Sequence, residues 1–484
     1  MPYLNEVVFA SSNKSASKKI SQQLKAGQLR KIAPRIYTSN TTDPSERIIL
    51  RNWFKVLSHL FPKAILSHRS AVEGKPVDGH IFLTYTSTRN VLLPGLKVHL
   101  LDGPDCATGT NLFFENLYRS SEARMFLENM QPVQGTTKVP KTLKREILEG
   151  RLESIIRTRG DQALNTLRDE AKLVAIEADL MKEYDHLNKL IGALLSTHPS
   201  KILNSDVARA RASGEPFDPE RIDLFGSLYD YLSDKEFKNH QDVNTSDSAY
   251  NSFAFFESYF SNFIEGTEFE IEEAKEIIRT ETPMPLRDED SHDILGTYQI
   301  VSNREEMEML PASAEHLTIL LRERHKILLR ARTSKNPGQF KDRNNRAGNT
   351  EFVDWKLVAG TLKKGYELYS LLSDPFARAC YMMFLVSEVH PFLDGNGRIA
   401  RVMMNAELSA KGLSKILIPT VYRIDYIGAI KKLTKTGAPE TYVNMLSRAY
   451  EFSANVHGEG LEEVEAYLRN CNAFETGEDY ILRF

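Results

Sequence analysis

The chain has 484 residues, 41% of them hydrophobic and 26% charged, with a formal net charge of −3. That length corresponds to roughly three domains, and the balance is that of an ordinary globular protein with no global bias toward nucleic acid or membrane. Cys106, Cys380 and Cys471 lie far apart with no C-x-x-C pair, which excludes a disulfide framework or a cysteine zinc site and fits a reducing cytosol. The opening MPYLNEVVFASSNK lacks an apolar core flanked by basic residues, so no signal peptide is expected. No run approaches the ~20 apolar residues of a membrane span.

Residues 1–130 mix helix and strand signals. Ser15–Lys25 reads as a short helix closed by Gly27, followed by strands around Leu29–Ile32 and Arg35–Thr38 with Pro34 between them. Asp43–Leu60 reads as one amphipathic helix, because Ile48, Leu50, Trp53, Phe54, Leu57 and Leu60 recur at helical spacing. Further strands are expected at His80–Tyr85, Leu96–Leu101 and Asn111–Phe114. From Lys141 to Leu195 the pattern is helical and highly charged, and residues 131–215 read as a connector. Gly214 and the prolines of Ser213–Pro219 mark a boundary. Residues 216–456 are nearly all helical apart from a Gly/Asn-rich gap at Asn336–Asn349, and 457–484 read as a tail. The expected fold class is mainly α, preceded by a smaller α/β module.

Residues 390–401 read His-Pro-Phe-Leu-Asp-Gly-Asn-Gly-Arg-Ile-Ala-Arg. The segment before them, Asp374–Val389, is apolar on most sides and predicts a buried central helix. Ser373 or Asp374 can cap it, and Pro375 suits its first position. Pro391 disfavours helical geometry at His390, so the helix should end there. A second helix should start near Gly397 and stop at Gly412. A loop at a helix N-terminus is an anion site, through free amides and the positive end of the dipole. Gly395 and Gly397 let a phosphate approach the backbone. Arg398 and Arg401 can clamp its oxygens, Asp394 can hold Mg²⁺, and His390 can accept a hydroxyl proton near neutrality.

This segment resembles the Fic signature H-P-F-x-[D/E]-G-N-G-R-x-x-R at every fixed position, and the resemblance extends from about Pro219 to Asn455. It implies an all-α core with a β-hairpin flap and transfer of AMP from Mg-ATP to a Ser, Thr or Tyr hydroxyl of a target protein, and of the chain itself. His390 would be the base and Asp394 the Mg²⁺ ligand. Asn396 and the Gly395–Arg398 amides would hold the α and β phosphates, and Arg398 and Arg401 the outer ones. Ser261-Asn262-Phe263-Ile264-Glu265-Gly266 resembles the family's inhibitory motif [S/T]-x-x-x-E-[G/N]. Glu265 would then pair with Arg401 and remove the γ-phosphate clamp. The gap at Asn336–Val353 resembles the flap that pins a target's backbone, which would put Ala347, Gly348, Asn349 and Thr350 near the nucleotide; a plain surface loop is the alternative. Tyr426 stands where the family often has an adenine contact, although a buried core tyrosine reads equally well. Thr434 stands where some relatives carry Asn.

Between residues 13 and 37 lie Lys14, Lys18, Lys19, Lys25, Arg30, Lys31 and Arg35 and no acid. The helix, turn and two strands here suggest a winged helix, and the local charge suits duplex DNA; the alternative is a solvated basic face. The wording loosely resembles winged-helix regions of AbiEi-like antitoxins. Two readings therefore compete with the autoinhibited transferase: a DNA-binding toxin–antitoxin-type regulator with an accessory Fic domain, and a hydrolase that removes AMP with Glu265 orienting water. The expected partners are a protein target and duplex DNA, with room for a homo-oligomer and no membrane.

Overall fold

The computed structural model describes residues 5–104, 109–132, 139–477 and 479–484; Cys106 lies outside them, and Cys380 and Cys471 are buried free thiols. The chain forms two compact units, Met1–Gly214 and Glu215–Phe484.

The first unit runs β1 (Val7–Phe9), α1 (Lys14–Lys25), β2 (Arg30–Ala33), β3 (Ile36–Thr38), α2 (Ser45–Arg51), α3 (Trp53–Leu60), β4 (Ile65–Leu66), α4 (His68–Glu73), β5 (His80–Tyr85), β6 (Arg89–Leu93), β7 (Leu96–Asp102), β8 (Thr110–Phe114), β9 (Leu117–Ser120) and α5 (Glu122–Asn129). It then continues as α6 (Arg145–Arg159), α7 (Asp161–Glu177), α8 (Met181–Leu194) and α9 (Asp206–Ala212). A three-stranded sheet, β1-β3-β2, and a six-stranded sheet, β6-β7-β5-β4-β9-β8, share one core with α2 and α3. The single helix expected over Asp43–Leu60 is instead two. Asn52 leaves helical geometry (φ −112°, ψ 17°), and its side-chain amide donates to Ile48 O and Glu6 Oε2, so local side-chain bonding replaces the helical turn. The helices after α5 do not trail as a connector: Leu148, Leu152, Leu164, Leu187 and Ile191 pack with Phe126 and Leu127 of α5 into a second core.

The second unit runs α10 (Pro219–Ser233), α11 (Asp247–Ile264), α12 (Ile271–Thr280), α13 (Asp288–Val301), α14 (Arg304–Met307), α15 (Ala314–Leu328), β10 (Arg346–Ala347), β11 (Thr350–Glu351), α16 (Val358–Tyr369), α17 (Pro375–Val389), α18 (Asn396–Ser409), α19 (Arg423–Thr436), α20 (Glu440–Ser453) and α21 (Leu461–Asn470). Helix α17 is the centre: Cys380 to Val386 are all fully buried, as its all-round apolar sequence dictates. Helices α10, α16, α18, α19 and α20 contribute to its core. The aromatic face of α11 builds a neighbouring core with α12, α13 and α21, and Val464, Leu468 and Leu482 draw the expected tail into it. Among the described residues no helix is long and apolar enough to cross a membrane.

One glycine in α16 reports how tightly this unit is packed. A Cβ at Gly360 would lie 2.2 Å from Pro216 O and 2.7 Å from Glu215 O, both backbone atoms that cannot swing away. Ala in place of Gly ordinarily stabilises a helix interior by ~1 kcal/mol. Here the clash should win, and Gly360→Ala should lower the denaturation midpoint; an unchanged or higher midpoint would show that the 216 segment is free to shift.

Candidate active site

Helix α17 begins with the Asp374 side chain accepting from Ala377 N at 2.8 Å and with Pro375 in its first position. It ends at His390, which is left-handed (φ 51°, ψ 59°) ahead of Pro391. Helix α18 begins six residues later at Asn396, one position before Gly397, and ends at Ser409. The intervening loop is held from several sides. The Asn396 side chain accepts from Phe392 N (2.8 Å) and donates to Phe392 O (2.9 Å). Asn345 donates to the same carbonyl, and Lys341 N donates to Pro391 O. From α15, His325 stacks on Phe392 at 3.7 Å, donates through Nε2 to Asp394 O and accepts from Gly338 N at Nδ1. Burial pushes the His325 imidazole down to about 4, so it stays in that one tautomer.

Ile399 N donates back to Gly395 O as the first helical bond of α18, so the amides of Asn396, Gly397 and Arg398 have no acceptor along the helix. A carboxylate sits against this end. A Cβ on Gly397 would fall 2.1 Å from Glu265 Oε1, so glycine here leaves room for the carboxylate in this position. Glu265 is the C-cap of α11, and its Oε1 lies 2.8 Å from Arg401 Nη2. The rest of the guanidinium is also occupied: Nε donates to Ser261 Oγ (3.0 Å), Nη2 to Ser261 O (2.8 Å) and Nη1 to Tyr426 OH (3.2 Å). Burial raises the Glu265 pKa, but the Arg401 guanidinium outweighs it and holds the carboxyl below its ordinary value. Gly266, with φ 91°, turns the chain away immediately after.

The His390 ring is fixed. Its Nδ1 lies 3.2 Å from Ser387 O, a carbonyl that can only accept, so Nδ1 carries the proton and Nε2 keeps its lone pair. Phe352, just beyond β11, lies flat on the imidazole at 3.6 Å and 6°. Burial, with Lys341 adding to it, pushes the His390 pKa down to about 4. The buried Lys341 is itself brought down to about 8 by desolvation.

A cavity of about 180 Å³ opens between these groups. Its walls include Glu265, Gly397 and Arg401 at one end, His390, Thr350 and Tyr426, and the apolar Ile264, Ile427 and Ile430. The Gly/Asn-rich gap is a two-stranded hairpin, Arg346 opposite Glu351 and Ala347 opposite Thr350. Ala347 and Thr350 line the cavity, but Gly348 and Asn349 form the exposed tip and do not, because a two-residue turn points its central residues away from the paired strands. Arg398 also departs from expectation. Its Nη1 lies 2.6 Å from the buried Asp293 and 3.3 Å from Asn262 Oδ1 on α11, so it faces into the protein beside the cavity. The Asn396 side chain is likewise spent on the loop, leaving its backbone amide as the group at the helix end.

Asp394 is partly exposed. Its Oδ1 accepts from Gly395 N, and the nearest cation to Oδ2 is Lys335 Nζ at 3.7 Å. Among the described residues no three His, Cys, Asp or Glu side chains gather as a metal site. One open hard carboxylate suits Mg²⁺ carried in on phosphate oxygens and no all-protein cage.

The residues that motif reading missed are Asp293, His325, Lys341, Phe352 and Glu388. Glu388 alone had a signal, as the one carboxylate inside the apolar run 375–389. The other four act through long-range contacts without a local pattern.

Residues 318–408 match the Fic/DOC family, so the second unit carries a Fic/DOC domain related to that of Fic adenylyltransferases. Protein adenylyltransferase fic-1 of Caenorhabditis elegans is 26% identical over 132 residues, 27% of this chain and 22% of that protein. Protein adenylyltransferase Fic of Drosophila persimilis is 30% identical over 83 residues, 17% of this chain and 16% of that protein. This chain thus spans under a quarter of either relative's length. Among solved structures, a Fic-1 fragment from C. elegans aligns over 66% of this chain and 98% of its own at 17% identity and a TM-score of 0.37. A Fic-domain signalling protein from Bacteroides thetaiotaomicron covers 51% and 97% at 18% identity and a TM-score of 0.38.

The ring environment makes a direct prediction. Nitrogen NMR of the imidazoles should find His390 neutral and protonated on Nδ1 at pH 6, titrating only near about 4. The unfolded chain takes up this proton near pH ~6.5, so the group erodes stability as pH falls from there toward the folded value. A His390 titration near 6.5 would mean the ring is not buried as described.

Proposed function

We propose that this chain transfers AMP from Mg-ATP to a Ser, Thr or Tyr hydroxyl of a protein, and that the conformation described is its restrained state. One observation carries the reading: the Glu265 carboxylate occupies the helix N-terminus that an ATP phosphate would need, and it engages Arg401, the guanidinium that phosphate would use. An anion seat already filled by an anion from the same chain is a site under internal competition.

In the reaction, His390 Nε2 accepts the proton of the target hydroxyl. The hydroxyl oxygen bonds to the α-phosphorus, the bond from that phosphorus to the bridging oxygen breaks, and pyrophosphate leaves. Nδ1–H to Ser387 O keeps the ring in the tautomer that can do this. The amides of Asn396–Arg398 hold phosphate oxygens, and Arg401, once released, clamps the outer ones. Asp394 would hold Mg²⁺, which neutralises phosphate charge. Strand pairing along β10–β11 would present the target backbone. The apolar wall of Ile264, Ile427 and Ile430 with Tyr426 would take the base.

Glu265→Gly should therefore raise incorporation of α-labelled ATP into the full-length protein, and His390→Ala in that background should reduce it ~10²–10⁴-fold. Arg401→Ala in the same background should also label less, and Asp394→Ala should weaken Mg²⁺-dependent ATP binding. Equal labelling of wild type and Glu265→Gly would dismiss the restraint. If Glu265→Gly abolishes AMP removal from a modified protein without raising labelling, the hydrolase reading replaces this one.

A second reading concerns the first unit. Helix α1 buries none of its side chains and carries Lys14, Lys18, Lys19 and Lys25, a charge distribution suited to a phosphate backbone. Arg30 is excluded from it, since its guanidinium bonds Asn40 O, Asp43 O and Ser45 Oγ. A gel shift on duplex DNA should weaken steeply as salt rises, and no shift at low salt would eliminate the DNA reading.

A further inference from the structure

Resting on the nucleotide-transfer reading, we propose that Glu388 and Thr434 select the nucleobase, and that they select for an exocyclic amino group on a purine. The two residues form the polar corner of the cavity away from its phosphate end. Glu388 lies on α17 two positions before His390, is 1% exposed and lines the cavity. Thr434 reaches the same corner from α19, four residues beyond Ile430. The phosphate end is set by the start of α18 at Gly397. The apolar middle, Ile264, Ile427 and Ile430, suits the faces of a flat ring. What remains for the base edge is the carboxylate corner.

Two donors of that corner are committed to the Glu388 carboxylate. The one hydrogen of the Thr434 hydroxyl is spent within the protein, with Glu388 Oε2 at 2.7 Å and Ile430 O at 3.1 Å as its acceptors. Arg221 Nη1 lies 2.8 Å from Glu388 Oε1, and Nη2 of the same guanidinium donates to Glu351 O on the hairpin. Arg221 compensates the buried charge without being able to leave it. Burial raises the Glu388 pKa and Arg221 opposes that rise. What the Glu388–Thr434 pair still offers is therefore acceptor capacity: the remaining lone pairs of the carboxylate and those of the Thr434 oxygen. A base edge placed there must present N–H groups. The 6-amino group of adenine does so, as do the adjacent N1–H and 2-amino group of guanine. A carbonyl oxygen placed there meets repulsion. Lys431 and Ser387 also line the cavity, and neither is bonded to Glu388 among the described contacts.

Paired nucleotides that differ by one amino group test this on the full-length Glu265→Gly protein. Purine riboside triphosphate is ATP without its 6-amino group, and inosine triphosphate is GTP without its 2-amino group. Each is assayed as a competitor of α-labelled ATP in self-labelling, and each is titrated by calorimetry. The expected result is a loss of at least about tenfold in one pair, the size of a hydrogen bond to a charged group. The pair that shows it identifies adenine or guanine as the base. In Glu388→Gln, where one acceptor oxygen becomes an amide donor, the within-pair ratio should collapse toward one. Because the readout is a ratio within one variant, general damage to the flap or to Arg221 cancels. Ratios near one in the parent protein, or ratios unchanged in Glu388→Gln, overturn the proposal while leaving transfer intact. Amino-dependent binding without labelling would instead uphold the selection and overturn the transfer reading.

Discussion

The amides of Asn396, Gly397 and Arg398 at the start of α18 have no acceptor along the helix, Gly397 lines a cavity there, and the Arg401 guanidinium stands one turn further on. Such a concentration of positive potential in a mostly dry site is unfavourable unless an anion meets it. The chain meets it with Glu265, and much of the local structure follows from that choice. Glycine at position 397 lets the Glu265–Arg401 pair form as it stands, because a Cβ there would take the space of the carboxylate oxygen and push Glu265 aside. Helix α11 must end where it does, with Gly266 turning the chain immediately after the Glu. Ser261, one turn earlier, must offer both its hydroxyl and its carbonyl to the same arginine. The aromatic residues of α11 serve this geometry by fixing the helix in its own core, so that its last residue arrives in register.

The two motif arginines are handled differently, and the difference matters for what can move. Arg398 is joined to the buried Asp293, which also holds Arg332, and α11 reaches it through Asn262. Further up α11, Glu257 is bonded to Asn405 and paired with the buried Lys415. Breaking a buried pair by losing one partner is strongly unfavourable, so these contacts hold the body of α11 against α13 and α18. Glu265 is the exception. Its side chain is 33% exposed against 6% for Arg401, and it lies at a helix end, where local opening needs the least free energy. Glu265 is thus a terminal residue on an otherwise fixed helix, free enough to be the movable part of the proposed restraint.

Some of this was readable from the amino-acid sequence and some was not, and the division is physical. His390, Asp394, Gly395, Gly397 and Arg401 sit within twelve consecutive residues, so the capping, turn and charge rules that act over one or two helical turns are enough to single them out as candidates. Strand β5 and the ends of α17 were readable for the same reason, since their signals are local. The break at Asn52 was not, because the bonds that cause it include one to Glu6, far away in the chain. Arg398 was assigned to phosphate on its spacing from Arg401, and spacing could not reveal Asp293, which arrives from a helix about a hundred residues earlier. The resemblance of their segment to a flap puts Gly348 and Asn349 near the nucleotide, whereas the two-residue turn places them at the exposed tip and leaves Ala347 and Thr350 at the wall. The first unit's helices α6–α9 looked like a connector because their exposed faces are highly charged; their buried faces belong to the same core as α5.

The low basicity of His390 looks at first unsuited to proton abstraction, because a base works best when its pKa lies near the working pH. The causes of the shift resolve the difficulty. Burial lowers it and Lys341 lowers it further, while Glu265 and Asp394 act in the opposite direction. The ring therefore responds to the anionic charge around it. A triphosphate entering the cavity would bring several negative charges to the side where only two carboxylates now stand, and each would favour the protonated ring. Its entry would displace the Glu265 carboxylate, so one negative charge would leave as several arrive. The base would be weakest in the resting state and strongest with nucleotide bound, which ties the proton transfer to the presence of the phosphate it serves. The carbonyl of Ser387 keeps the tautomer correct throughout, and Phe352 keeps the ring plane from turning as its charge changes.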